Sequence, residues 1–229
     1  MQTIETKIIA RIRTDFPTKF GIPRQSGLAD KLEGVIIFEP EYRVKESLRG
    51  LDGWSHLWLI WQFSEAVRDN WSPTVRPPRL GGNKRMGVFA TRSPFRPNAI
   101  GLSCVRLIGT EHTAEYGDVI KVAGADLMDG TPILDIKPYL PLADCHPDAK
   151  SGFAGEHEDH SLEVVFPEEL CTKVPEGKLA ALKQALEQDP RPAYQDDPTR
   201  IYGFPFAGCE IKFRVENGIL YVNSVDYLG

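Results

Sequence analysis

IGLSCVRLIGTEHTAEYGDVIKVAGADLMDGTPILDIK, residues 100–137, decides the fold class. Apolar, β-branched runs at 100–107, 118–123 and 133–137 read as strands, and Asp129-Gly130 marks a turn between two of them. The same texture extends toward the N-terminus, where 6–13, 34–38, 56–63 and 87–91 read as strands. Glu39-Pro40, Pro77-Pro78 and Gly81-Gly82-Asn83 supply the breaks, and 161–166 adds a further strand downstream. A short helix is expected at 41–48, with Pro40 in its first turn. Many short strands without regularly alternating helices indicate a mainly β protein, a barrel or a sandwich, and not a doubly wound parallel sheet.

The texture changes near Pro167. Residues 177–188 place Leu179, Leu182 and Leu186 on one helical stripe, which Asp189-Pro190 ends. Strands at 210–215 and 219–225 flank Asn217-Gly218, a tight-hairpin signal. The expected organisation is therefore a β domain at 1–167 and an appended small α+β domain at 168–229, with 144–160 as the linker.

The net charge of −5 argues at first against a nucleic-acid partner, but its distribution reverses that. Residues 71–110 carry seven bases (Arg76, Arg79, Lys84, Arg85, Arg92, Arg96, Arg106) and no acid, leaving 20 bases against 32 acids elsewhere. A polyanion responds to that local potential and not to the net charge. No apolar run approaches the roughly 18 residues of a membrane span. The opening MQTIETKIIARIRTDF has no apolar signal core, and four dispersed cysteines fit a reducing compartment, so a cytoplasmic location is expected.

Several chemistries lack support. GEHEDH (155–160) carries His157 and His160 among acids, but the glycines around it make a solvated loop the better reading, and no metal is expected. Ser64, Ser103 and Ser151 lack a GxSxG setting, and there is neither a Walker loop nor a dinucleotide-binding glycine fingerprint. Three constellations remain. PRQSGLAD (23–30) combines the donors Arg24 and Gln25 with Gly27, which lets a backbone approach closely. GVFATRSPFRPNAIGLS (87–103) holds Arg92 and Arg96 in a turn stiffened by Pro94 and Pro97, with Asn98 to meet a flat polar edge. ADLMDGTPILDIKPYLP (125–141) sets Asp126, Asp129 and Asp135 along an apolar run, either as ion-pair partners or as contacts for a cationic ligand.

GVFATRSPFRPNAIGLS, PTVRPPRLGGN (73–83), DGTPILDIKPYLP (129–141) and DPRPAY (189–194) together resemble the TrmO-type tRNA adenine-N6-methyltransferases, in order and over nearly the whole chain. The resemblance implies a small β-barrel that binds S-adenosylmethionine without a Rossmann fold, an appended α+β domain and a homodimer. It implies methylation of N6 of threonylcarbamoyladenosine (t6A) beside the anticodon of threonine tRNA. By matched position, cofactor contacts fall on Ser26, Gly27, Leu28, Ser64, Glu65, Arg92 and Leu102, and on Ala123, Gly124, Ala125 and Asp126. Ala99 departs from the proline usual after RPN, which loosens the turn without removing a functional group.

In that substrate the acceptor nitrogen is urea-like, so its proton must leave during or before transfer. Asp126 and Asp135 are the candidate acceptors, with Tyr139 and Tyr194 as nucleobase positioners. Arg96 or Arg191 suits the carboxylate of the threonyl group, while Arg76, Arg79, Lys84, Arg85 and Asn98 face the RNA. The competing readings are a non-catalytic RNA-binding barrel and an S-adenosylmethionine-binding regulatory protein.

Overall fold

The computed structural model describes residues 3–68, 70–77, 84–157, 161–191 and 197–229. Its first strands are β1 (Ala10–Arg13), β2 (Glu33–Phe38) and β3 (His56–Gln62). A two-residue ribbon follows, β4 (Thr74–Val75) with β5 (Met86–Gly87), and then β6 (Ile100–Thr113), β7 (Gly117–Ala123) and β8 (Pro132–Pro138). Alternation in β3 turns Leu57, Leu59 and Trp61 inward, where they meet Ile12, Ile36, Val105, Ile120, Val122 and Ile133. That inward face cannot stay in water, and the strand order β1-β2-β7-β6-β3-β8 wraps it by closing on itself. The closing pair is β1 with β8, and every pairing in the ring is antiparallel. Closure removes exposed sheet edges from the unit that carries the cleft described below.

The second unit contains α1 (Pro141–Asp144) at its approach, then β9 (Glu163–Val165), α2 (Glu168–Cys171) and α3 (Leu179–Glu187). Strands β10 (Tyr202–Phe206), β11 (Cys209–Glu216) and β12 (Ile219–Tyr227) complete a sheet of order β10-β11-β12-β9. Asn217 (φ 50°) and Gly218 (φ 77°) both take the left-handed region that a two-residue hairpin of this hand requires, as the sequence indicates. The helix expected at 177–188 forms as α3, burying Leu182 and Leu186. No helix among the described residues is long and apolar enough to cross a membrane.

Several expectations need correction. The run at 87–91 is not a strand: only Met86–Gly87 pairs, and Val88–Ala90 coil into a 3-10 turn, because Val88 alone is buried there. The helix at 41–48 is instead two 3-10 turns, Pro40–Tyr42 and Lys45–Leu48, with no buried residue to hold a longer helix against the barrel. Strand β1 starts at Ala10 and not at residue 6. The boundary at 167 falls too late, since β9 runs parallel to β12 and so belongs to the second sheet. Strand β10 went unread, its Gly203 and Pro205 masking the alternation of Tyr202, Phe204 and Phe206.

The two units share a core. Phe16, Ala29 and Leu32, from the chain between β1 and β2, are buried among α3, β10, β11 and β12. The Phe16 ring lies 6.3 Å from that of Phe204 and 5.1 Å from that of Phe206. Phe16→Ala is expected to lower unfolding free energy by about 3–5 kcal/mol, the usual cost of emptying a buried aromatic site. Urea titration checks this, and a loss below about 1 kcal/mol would show that the segment is not part of the core.

Candidate active site

A cleft of about 1230 Å³ opens beside the barrel, between the 23–25 loop, the 91–102 segment and the end of the helix unit at Pro190 and Arg191. A smaller one of about 400 Å³ runs along the 62–68 segment. Trp61, Phe63, Arg68, Phe95 and Asp126 line both, so the two clefts meet at Asp126. Seven arginines line the larger cleft: Arg24, Arg68, Arg76, Arg85, Arg92, Arg96 and Arg191. Among its described lining residues Asp126 is the sole carboxylate.

Asp126 follows β7 through the buried residues Gly124 and Ala125. Its Oδ1 accepts a 2.5 Å hydrogen bond from Ser103 Oγ, and that same oxygen of Ser103 accepts one from Trp61 Nε1 at 2.9 Å. Ser103 is only 1% exposed, so this relay is held inside the barrel mouth. Trp61 reaches it because its register partner on β6 is Gly101. A Cβ at that glycine would lie 2.3 Å from Trp61 Cε2, so the indole occupies the space a side chain would need. Burial pushes the Asp126 carboxyl above its ordinary value, opposed by the Ser103 hydrogen bond and by the charge of Arg92. A carboxyl so placed is a stronger base than a solvated aspartate.

The PRQSGLAD loop is fastened to this mouth at two points. Cys104 N–H donates to Ser26 Oγ (3.1 Å), and Gly27 N–H donates to Gly124 O (2.9 Å). Arg92 Nη1 donates to Gln25 Oε1, joining the loop to the arginine turn. That turn is braced from within: Arg96 Nη1 donates to Thr91 O (3.2 Å) and Phe63 N–H donates to Ala99 O (2.9 Å). Leu102 is on the outer face of β6, half exposed toward the larger cleft, while Ser64 and Glu65 sit on a 3-10 turn that lines the smaller one.

Arg76, Arg85, Arg92, Arg96, Asn98 and Arg191 therefore converge on the larger cleft, as Ser64, Glu65 and Asp126 do on the smaller. Ser26, Gly27 and Leu28 buttress the wall without lining either cleft, and Ala123, Gly124 and Ala125 are buried behind it. Lys84 is exposed beside β5. Asp135 and Tyr139 are not brought here. Asp135 pairs with Lys137 (2.8 Å) on β8, and Tyr139 packs on Trp58 and His56 without lining either cleft. Arg191 is gripped by Asp189 through Nε (2.8 Å) and Nη2 (2.9 Å), so its guanidinium is largely committed. Arg79, Tyr194, the 81–83 turn and 158–160 lie outside the described residues. The relay residues Trp61 and Ser103 were missed as site residues; the one usable signal is inward alternation in HLWLIWQ, and it does not reveal the facing glycine.

The family model described as the tRNA-methyltransferase O N-terminal domain matches residues 11–145, and the TrmO C-terminal domain model matches 159–227. The chain belongs to the TrmO family. It is 47% identical to a tRNA (adenine(37)-N6)-methyltransferase of Eikenella corrodens, over 75% of this chain and 96% of that one. A putative S-adenosylmethionine-dependent methyltransferase of Pseudomonas aeruginosa is 43% identical over 85% of each chain. The crystal structure of TrmO from Pseudomonas aeruginosa superposes with a TM-score of 0.78 at 34% identity, covering 98% of this chain and 99% of that one.

In this TrmO-family chain the donor set suits S-adenosylmethionine: a guanidinium for a carboxylate, one half-buried acid for a cationic group, and apolar faces at Phe63 and Leu102 for a base. Ser103→Ala removes the hydroxyl that favours the Asp126 carboxylate, so the Asp126 titration followed by carboxyl carbon NMR should move to higher pH. Gly101→Ala should expel the Trp61 indole and produce the same upward move together with a red-shifted tryptophan emission. An unmoved titration in both variants would mean that the relay does not act on Asp126.

Proposed function

We propose that the chain transfers the methyl group of S-adenosylmethionine to N6 of adenine 37 in a tRNA, the position named for its relatives. The adenine acted on is the threonylcarbamoylated one of threonine tRNA, and the product is its N6-methyl derivative. The observation that carries this reading is Asp126, a half-buried carboxyl where two clefts meet in a wall of arginines. Bound there, S-adenosylmethionine supplies an electrophilic methyl group on a cationic sulfur. The residues proposed to hold it are Arg92, for its carboxylate, with Leu102, Ser64 and Glu65 along the clefts. Ser26–Leu28 and Ala123–Ala125 shape the backbone behind them.

Asp126 accepts the N6 proton. Threonylcarbamoylation makes that proton more acidic than in plain adenine, which brings its transfer within reach of a carboxylate whose own basicity burial has raised. Arg96, held by Thr91 O and half-buried at the cleft wall, meets the threonyl carboxylate; the ion pair with Asp189 leaves Arg191 less suited to that task. Arg76, Arg85 and Lys84 carry RNA phosphates. Assembly as a homodimer and a cytoplasmic location belong to the same proposal and rest on the likeness to the family.

The deciding experiment incubates the protein with S-adenosylmethionine and threonine tRNA, either carrying or lacking the threonylcarbamoyl group, then digests and weighs the nucleosides. Methylation is expected only on the modified adenosine; equal methylation of plain adenosine would remove the threonylcarbamoyl requirement. Asp126→Asn should lower turnover by about 10²–10⁴-fold while both ligands still bind. The ionised carboxylate is the active form, so kcat falls as pH drops through the Asp126 pKa, and Ser103→Ala should move that acid limb to higher pH.

A further inference from the structure

Outside the clefts, the strongest unassigned feature is a pair of exposed aromatic rings on the β4–β5 ribbon. Trp71 stands just before β4, and Phe89 stands in the turn after β5. Their side chains are 53% and 74% exposed, yet the rings lie together, with centroids 6.2 Å apart and planes 33° apart. Exposing two large rings costs solvation energy, and nothing in the barrel needs them there.

The ledge they make is firmly seated. Thr74 pairs with Gly87 and Val75 with Met86, Val88 N–H donates to Pro73 O (2.9 Å), and the Val88 side chain is buried. Arg85 Nη1 donates to Thr74 Oγ1 (3.1 Å), which keeps a cation beside the ribbon. Thr74, Val75, Arg76 and Arg85 also line the larger cleft, so the ledge runs into it without a break. Phe95, which also lines that cleft, is 38% exposed, with the Arg68 guanidinium 3.8 Å from its ring centroid.

We infer that Trp71 and Phe89 form a stacking ledge for unpaired RNA bases flanking the base that enters the cleft, a surface that rests on the RNA-modifying reading above. Charge complementarity selects this occupant. Between Trp71 and Phe89 the sequence carries Arg76, Arg79, Lys84 and Arg85 and no acid, so the rings share their stretch with cations that nothing within it neutralises. A two-fold seam would set this acid-free patch against its own copy, where like charges facing each other oppose association. A single strand needs the opposite, flat faces for bases with cations close by for phosphates. An extruded target base leaves its neighbours unstacked, and aromatic rings at the cleft rim replace the lost stacking.

The test compares wild type with Trp71→Ala, Phe89→Ala, the double variant and Trp71→Phe. The probes are a threonine tRNA anticodon stem-loop and a plain RNA duplex of equal length. Each alanine should weaken stem-loop binding by about fivefold to hundredfold, with Trp71→Phe close to wild type. Duplex binding, calorimetric S-adenosylmethionine binding and the salt slope should stay unchanged, because no phosphate contact is removed. Unchanged stem-loop affinity in the alanine variants, alongside a wild type that methylates tRNA, overturns the ledge alone. If the double variant instead dissociates a wild-type dimer without losing stem-loop affinity, the rings are a subunit seam and the ledge is overturned. A wild-type protein that binds no RNA defeats both this inference and the proposed function.

Discussion

The cleft depends on one constraint: the chain between β1 and β2 must satisfy two cores at once. Phe16, Ala29 and Leu32 are buried in the second unit, while the same segment passes Ser26 and Gly27 along the barrel mouth. Gln184 on α3 tightens the tie, accepting from Lys31 N–H (2.8 Å) and donating to Asp30 Oδ1 (2.7 Å). Lys178, at the start of the same helix, reaches Asp15 at 2.8 Å. The appended unit therefore acts as a stay for a wall of the site. Loops are otherwise the most mobile part of a barrel, and a loop held at both ends by buried side chains loses that freedom. Part of the α3 and β10–β12 packing is thus spent on pre-organising Gln25 and Ser26 at the barrel.

Inside the mouth a second constraint follows from the first strand pair that faces it. Trp61 on β3 fits only because β6 offers Gly101 opposite, and the indole so placed directs its N–H to Ser103. Ser103 in turn spends its own proton on Asp126. Each hydroxyl and ring in this line has one partner on either side, so the geometry of the acid is set by packing two residues away. A hydrogen bond in such a chain is polarised by its neighbour and is felt more strongly than in water.

The sequence shows the barrel strands well where alternation is strict, as in His56–Gln62, or where β-branched residues crowd together, as in Gly117–Ala123. It shows poorly whatever depends on a partner remote in the chain. The short parallel contact of Glu163–Val165 with β12 carries no local mark, so the strand's own residues group it with the barrel that precedes it in the chain. Val88–Ala90 has strand-like composition, yet without an adjacent strand beyond Gly87 it coils. Arg92, Arg96 and Asp126 stand out in the sequence as candidates because a cation in a stiff apolar turn, or an acid ending an apolar strand, is locally anomalous, and all three line the larger cleft. Ser103 is a serine in a strand and looks ordinary until Trp61 and Asp126 are placed on either side of it.

Seven guanidinium groups around one carboxyl should, by Coulomb attraction alone, make that carboxyl more acidic. The Asp126 carboxyl moves the other way because the two influences act over different paths. Most of those arginines reach it through solvent, where screening is strong, and Arg92 is the one whose charge is felt. Burial acts on the carboxyl directly and has no such attenuation. The arrangement separates two tasks that conflict in a polyanion-binding enzyme: a strongly positive surface to gather RNA and an acid basic enough to take a proton. Had an arginine closed on it in a salt bridge, its lone pairs would be engaged and its basicity lowered. Half-buried where the two clefts meet, with the Ser103 hydroxyl as its partner, it suits the proton-accepting role proposed for it.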